Sequence, residues 1–150
     1  MSQIIATIKK IHNIDNLNIV EFDFFGKTLK MMSLDLNKNV QIGKKVKLAV
    51  KPTNISIAKN LFGEISLSNQ IVVNIKNVEN GQLLSSIILE VNDTTFESII
   101  TADSSKRMNL QKNEQVTILI KASDLSILEV LNDWVIKNYW VRTRRRTFVD

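Results

Sequence analysis

Apolar residues along this chain come in short bursts, often on alternate positions, and the bursts recur in the same order in both halves. Ile4, Ile5, Thr7 and Ile8 make one burst, and Ile71, Val72, Val73 and Ile75 its counterpart. β-branched residues at this spacing predict strands, because alternate side chains of a strand share a face. Polar turns follow at residues 12–16 and 77–81, where Asn and Gly accept positive φ readily. Further strands are predicted at residues 19–24 and 86–91, 28–32 and 96–100, 46–50 and 116–120, and 55–58 and 125–128. Between the third and fourth strand of each half, residues 34–37 and 103–107 read as short helical turns, the second capped by Asp103 or Ser104.

The recurrence extends to the letters. Residues 2–11 (SQIIATIKKI) return as residues 69–78 (NQIVVNIKNV), an offset of 67 from Ser2 to Asn69. Residues 46–53 (VKLAVKPT) return as residues 116–123 (VTILIKAS), an offset of 70 from Val46 to Val116. Such a period is too long for a solenoid turn and suits a small β-unit. The fold expected is all-β: two tandem OB-like barrels of about five short strands, each with one brief helix. The units would span residues 1–62 and 65–130, with Gly63 permitting the bend between them. Phe22 and Phe24 stand two apart, as core positions on one strand face do; bases stack on exposed aromatics in single-strand binders.

Residues 131–150 have no counterpart after the first unit. They hold both tryptophans, Trp134 and Trp140, the one tyrosine, Tyr139, and a basic run from Arg142 to Arg146. Leu128, Leu131, Trp134 and Val135 are spaced for one apolar face of a C-terminal helix, which would dock its aromatic side on the barrels. Five basic residues in this tail against Asp133 and Asp150 supply +3 of the net charge of +5, so the duplicated body is nearly balanced. Basicity therefore gives no strong argument for a nucleic-acid partner.

Units of about 65 residues lie near the lower size limit for an adequate core, so packing on each other or in a homo-oligomer is expected. The chain has no cysteine, which removes disulfides, thiolate metal sites and cysteine nucleophiles together. No signal-peptide pattern opens the sequence and no apolar run is long enough to span a bilayer, so a cytoplasmic location is expected. His12, the one histidine, has no carboxylate or serine-elbow pattern beside it, and there is no phosphate-binding loop, dinucleotide motif or zinc spacing. The reading is of a binding protein and not an enzyme.

Both halves place a lysine, a small residue and a hydroxyl residue after a strand: Lys51-Pro52-Thr53 and Lys121-Ala122-Ser123. Such a segment offers an ammonium, backbone N–H groups and a hydroxyl, donors that suit a tetrahedral oxyanion. The lead-in Ser66-Leu67-Ser68-Asn69-Gln70, the stretch from Ile99 to Ser104, and the stretch from Val116 to Ser123 resemble the molybdate-binding TOBE domains, the fold of the molbindins. The resemblance is close over residues 66–128 and looser over residues 2–59, so the chain resembles a di-domain molbindin.

The resemblance implies that molybdate or tungstate is the bound ligand, without an organic cofactor or a directly ligated metal cation, held between domains or subunits. It implies roles for Ser66, Ser68 and Asn69 from one side and Lys121, Ala122 and Ser123 from the other, with Thr101 nearby. The first-repeat equivalents are Ser2, Lys51 and Thr53. Two departures stand out. The family lead-in usually reads Ser-Ala-Arg-Asn, and here Ser68 takes the arginine position; Pro52 lacks the N–H that Ala122 keeps. Storage, buffering or sensing in molybdenum homeostasis is the implied role. The alternatives are a nucleic-acid-binding or regulatory OB module using the basic tail, and an accessory domain docked on a molybdate transporter ATPase.

Overall fold

β-branched and aromatic residues at every second position pair into ten antiparallel strands in the computed structural model, which describes residues 2–131. In chain order these are β1 (Ser2–Ile14), β2 (Leu17–Phe24), β3 (Lys27–Ser33), β4 (Lys45–Val50), β5 (Ser56–Ala58), β6 (Asn69–Asn80), β7 (Leu84–Val91), β8 (Thr94–Thr101), β9 (Gln115–Ile120) and β10 (Ser126–Val130). A 3₁₀ turn, Pro52–Asn54, separates β4 from β5, and its counterpart, Ala122–Asp124, separates β9 from β10. One α-helix, α1 (Ala102–Arg107), follows β8.

The strands form two five-stranded sheets that exchange their last members. One sheet runs β10-β4-β1-β2-β3 and the other β5-β9-β6-β7-β8. The strand that ends the first repeat thus pairs with β9 of the second, Ile57 opposite Ile118. The strand that ends the second repeat pairs with β4 of the first, Ile127 opposite Leu48. Neither sheet is complete without a strand from the other repeat.

Alternation puts Ile4, Ala6, Ile8, Val20, Phe22, Phe24, Leu29 and Met31 inside one sheet and Ile71, Val73, Ile75, Ile87, Leu89 and Phe96 inside the other. Phe22 and Phe24 are fully buried, so their rings serve packing and are not open to bases. Each sheet is curled with the help of a bulge in its longest strand, at Ile8 to Lys10 and at Ile75 to Asn77. At both bulges a positive-φ residue two places before β4 or β9, Gly43 or Asn113, donates its N–H to the carbonyl of the bulged residue, Ile8 or Ile75.

Two expectations about helices change. Residues 34–37 form no helix; the chain there passes through a bend and turns into β4. The offset between repeats grows from 67 to 70 across this link, so the second repeat has three more residues in which to close α1. Leu128, expected to begin the C-terminal helix, lies in β10, and Leu131 just beyond is buried and donates its N–H to the Lys45 carbonyl. The rest of that expected helix, with Trp134 and Val135, lies outside the described residues.

Candidate functional site

The lead-in to β6 is held in place by three contacts. Gln70 Nε2 donates to the Leu67 carbonyl at 2.9 Å, which ties the lead-in to the start of β6. Asn69, wholly buried, reaches the edge strand β3 of the other repeat: Lys30 N–H donates to Asn69 Oδ1 at 2.6 Å and Asn69 Nδ2 donates to the Lys30 carbonyl at 2.9 Å. A side-chain amide presents the same donor and acceptor as a peptide group, so Asn69 satisfies the open side of β3 as a neighbouring strand would. Its role is to fasten the two repeats together, and its polar atoms are already engaged.

Ser66 and Ser68 are left exposed by this arrangement. They line a hollow of about 250 Å³ together with Met32, Leu67, Lys121, Ala122 and Ser123. Five of the sequence-predicted residues thus meet, although they come from two well-separated stretches of chain. Lys121 stands at φ −67° and ψ 144°, an extended residue after which the 3₁₀ turn begins, and its carbonyl accepts from Asp124 N–H at 3.0 Å. The first two N–H groups of such a turn, those of Ala122 and Ser123, have no earlier carbonyl within it to bond. Lys121 and Ser123 are exposed, and Lys121 makes no ion pair among the described residues. The walls carry hydroxyls, N–H groups and one ammonium, with no carboxylate among them. That donor set suits an oxyanion and repels nothing of negative charge.

Thr101 is elsewhere. Its Oγ1 accepts from Ser104 N–H at 3.2 Å and donates to Ser104 Oγ at 2.9 Å, capping α1. It ends β8, the strand against which the first-repeat turn Pro52–Asn54 packs, whereas Ala122–Asp124 packs against β3. Thr101 therefore does not line the hollow with Lys121.

The first-repeat residues have different surroundings. Ser2 occupies the place of Asn69, and its Oγ accepts from Glu97 N–H at 3.0 Å, a single strap where Asn69 supplies two. It borders a depression with Gln3, Asp93, Thr94, Thr95, Phe96 and Glu97, whose two carboxylates disfavour an anion, and neither Lys51 nor Thr53 is among these walls. Lys51 has the same backbone as Lys121, φ −71° and ψ 142°, but Pro52 at the start of its turn has no N–H to offer.

Two relationships were not visible in the letters. Met32 gave no sign of an anion site, being an apolar residue on an edge strand; only the 67-residue offset, which aligns β3 with β8, hints that β3 faces the other repeat. His12, part of no carboxylate-histidine motif in the sequence, meets a carboxylate across the hairpin: its Nε2 lies 2.7 Å from Glu21 Oε2. That hydrogen bond holds the Glu21 carboxyl below the usual carboxylate range. Among the described residues no group of three or more His, Cys, Asp or Glu is placed to hold a metal ion, and no helix is long and apolar enough to cross a membrane.

Residues 65–127 match the family model of the TOBE domain. Among solved structures, the chain is similar to ModG, a cytoplasmic molybdate-binding protein, in a form with molybdate bound, at 18% identity and a TM-score of 0.77. That match covers 83% of this chain and 93% of ModG, and at this identity it speaks for the fold. A molybdate-binding protein from Sporomusa ovata matches at 27% identity over 45% of this chain and 100% of its own, with a TM-score of 0.43. No curated protein matches the sequence.

Proposed function

Because residues 65–127 match the family model of the TOBE domain, we propose that the chain binds molybdate or tungstate in the hollow of its second repeat. The observation that carries this reading is the meeting of Ser66, Ser68, Lys121, Ala122 and Ser123 around one space lined by donors and free of carboxylates. Lys121 supplies charge, Ser66, Ser68 and Ser123 supply hydroxyls, and the Ala122 and Ser123 N–H groups complete a set converging from two segments. Each charge-assisted hydrogen bond contributes about 1.5–3 kcal/mol, so a few of them suffice for useful affinity. The loss of the family's arginine at Ser68 leaves Lys121 as the one cation among the walls. ModG and the Sporomusa ovata protein, both described as molybdate-binding, support the choice of anion.

The site takes up and releases an oxyanion without altering it, which fits intracellular storage, buffering or sensing in molybdenum homeostasis, by a chain of two TOBE-like barrels in a homo-oligomer. Calorimetric titration with molybdate, tungstate and sulfate tests the reading. Binding of molybdate or tungstate well below millimolar concentration is expected; none below millimolar rejects it.

A further inference from the structure

Met32 is the one wall of the hollow that belongs to the first repeat. It also lines a second, larger space. A cleft of about 610 Å³ opens between the two edge strands of the first sheet, β3 and β10, bounded at its side by the helix-less link of residues 35–40. Met32 and Ser123 border both the hollow and the cleft, so these two residues form the partition between them. In the second repeat the corresponding link carries α1, fastened by Lys59 Nζ to the Met108 carbonyl at 2.9 Å and to Glu114 at 2.7 Å. The open cleft thus lies on the side of the donors of the hollow.

Of the two partition residues, Ser123 offers a donor and Met32 offers only bulk. A thioether accepts hydrogen bonds weakly and donates none, so Met32 adds nothing to the recognition of negative charge. Its unbranched chain, half-exposed on an edge strand, adapts in shape but still occupies the passage. We infer that Met32 is the specificity-determining wall of the oxyanion site: it stops the hollow from opening into the cleft and thereby sets the largest oxyanion the donors can hold. This rests on the functional reading above.

The test is calorimetric titration of the full chain with sulfate, molybdate and phenylphosphonate, a phosphonate whose ring needs room beyond the donors. Met32→Ala removes the partition and is expected to raise the affinity for phenylphosphonate relative to molybdate by about tenfold or more, the scale on which a few methylenes discriminate in a pocket. Met32→Phe fills the hollow and is expected to shift preference toward sulfate, the smaller of the tetrahedral anions. If the wild-type chain binds molybdate and neither variant changes these ratios, the role of Met32 falls and the functional reading stands. If the wild-type chain binds none of the three anions, both fall.

Discussion

Asn69 and Lys30 bind each other as two strands of a sheet do: the buried carboxamide of Asn69 gives and receives one hydrogen bond with the backbone of Lys30, at 2.9 and 2.6 Å. The contact ties the lead-in of the second repeat to the edge of the first. It also fixes where Ser66 and Ser68 stand relative to Lys121. Asn69→Ala leaves the Lys30 N–H and carbonyl without partners and is expected to cost about 1–3 kcal/mol of stability in urea unfolding. Ser2→Ala, which removes only the strap to Glu97 N–H, should cost less. Equal effects would mean that the two straps share the load evenly.

Thr101 caps α1 and stands apart from the hollow. Thr101→Ala should therefore lower stability by about 1 kcal/mol, the usual cost of an N-cap. Molybdate affinity should stay as in the wild type. A loss of affinity without a loss of stability would return Thr101 to the site.

The inequality of the two lysine turns yields a substitution that is easy to tolerate. Lys51 and Lys121 share one backbone conformation, extended as a residue before proline must be, and Pro52 already occupies the first turn at the position of Ala122. Ala122→Pro should fold normally, as checked by circular dichroism, yet remove one backbone donor. Molybdate affinity is expected to drop about tenfold, or ~1.4 kcal/mol.

The His12 contact makes Glu21 a reporter of the first hairpin. Its carboxyl is lowered chiefly by the hydrogen bond from His12. A lowered folded-state value means that the contribution to stability is present above the ordinary carboxylate pKa and is lost as pH falls through the lowered one. An NMR titration should find Glu21 protonating below the ordinary carboxylate range, and His12→Ala should restore it toward that range.

Strand positions were readable because alternation of β-branched residues is a local signal. Residues 69–75 and 86–91 needed nothing beyond it. The exchange of β5 and β10 was not readable, since Ser56–Ala58 would look the same paired with either sheet; only the packing of each lysine turn on the other repeat's edge decides it. The missing helix at residues 34–37 was half-visible. The change of offset from 67 to 70 marks a link shorter by three residues, and the helix forms in the longer of the two links. Asn69 shows the opposite limit: a motif can name a residue beside a site while its side chain faces away, committed to a partner 39 positions off.

The central claim is that an oxyanion is held by the second-repeat hollow and not by its first-repeat counterpart. Calorimetric titration of molybdate into Lys121→Ala and Lys51→Ala tests it most directly. Lys121→Ala should weaken binding by about 1.5–3 kcal/mol, roughly tenfold to a hundredfold, while Lys51→Ala leaves it near the wild-type value. Unchanged affinity in Lys121→Ala, or an equal loss in both variants, would contradict the assignment.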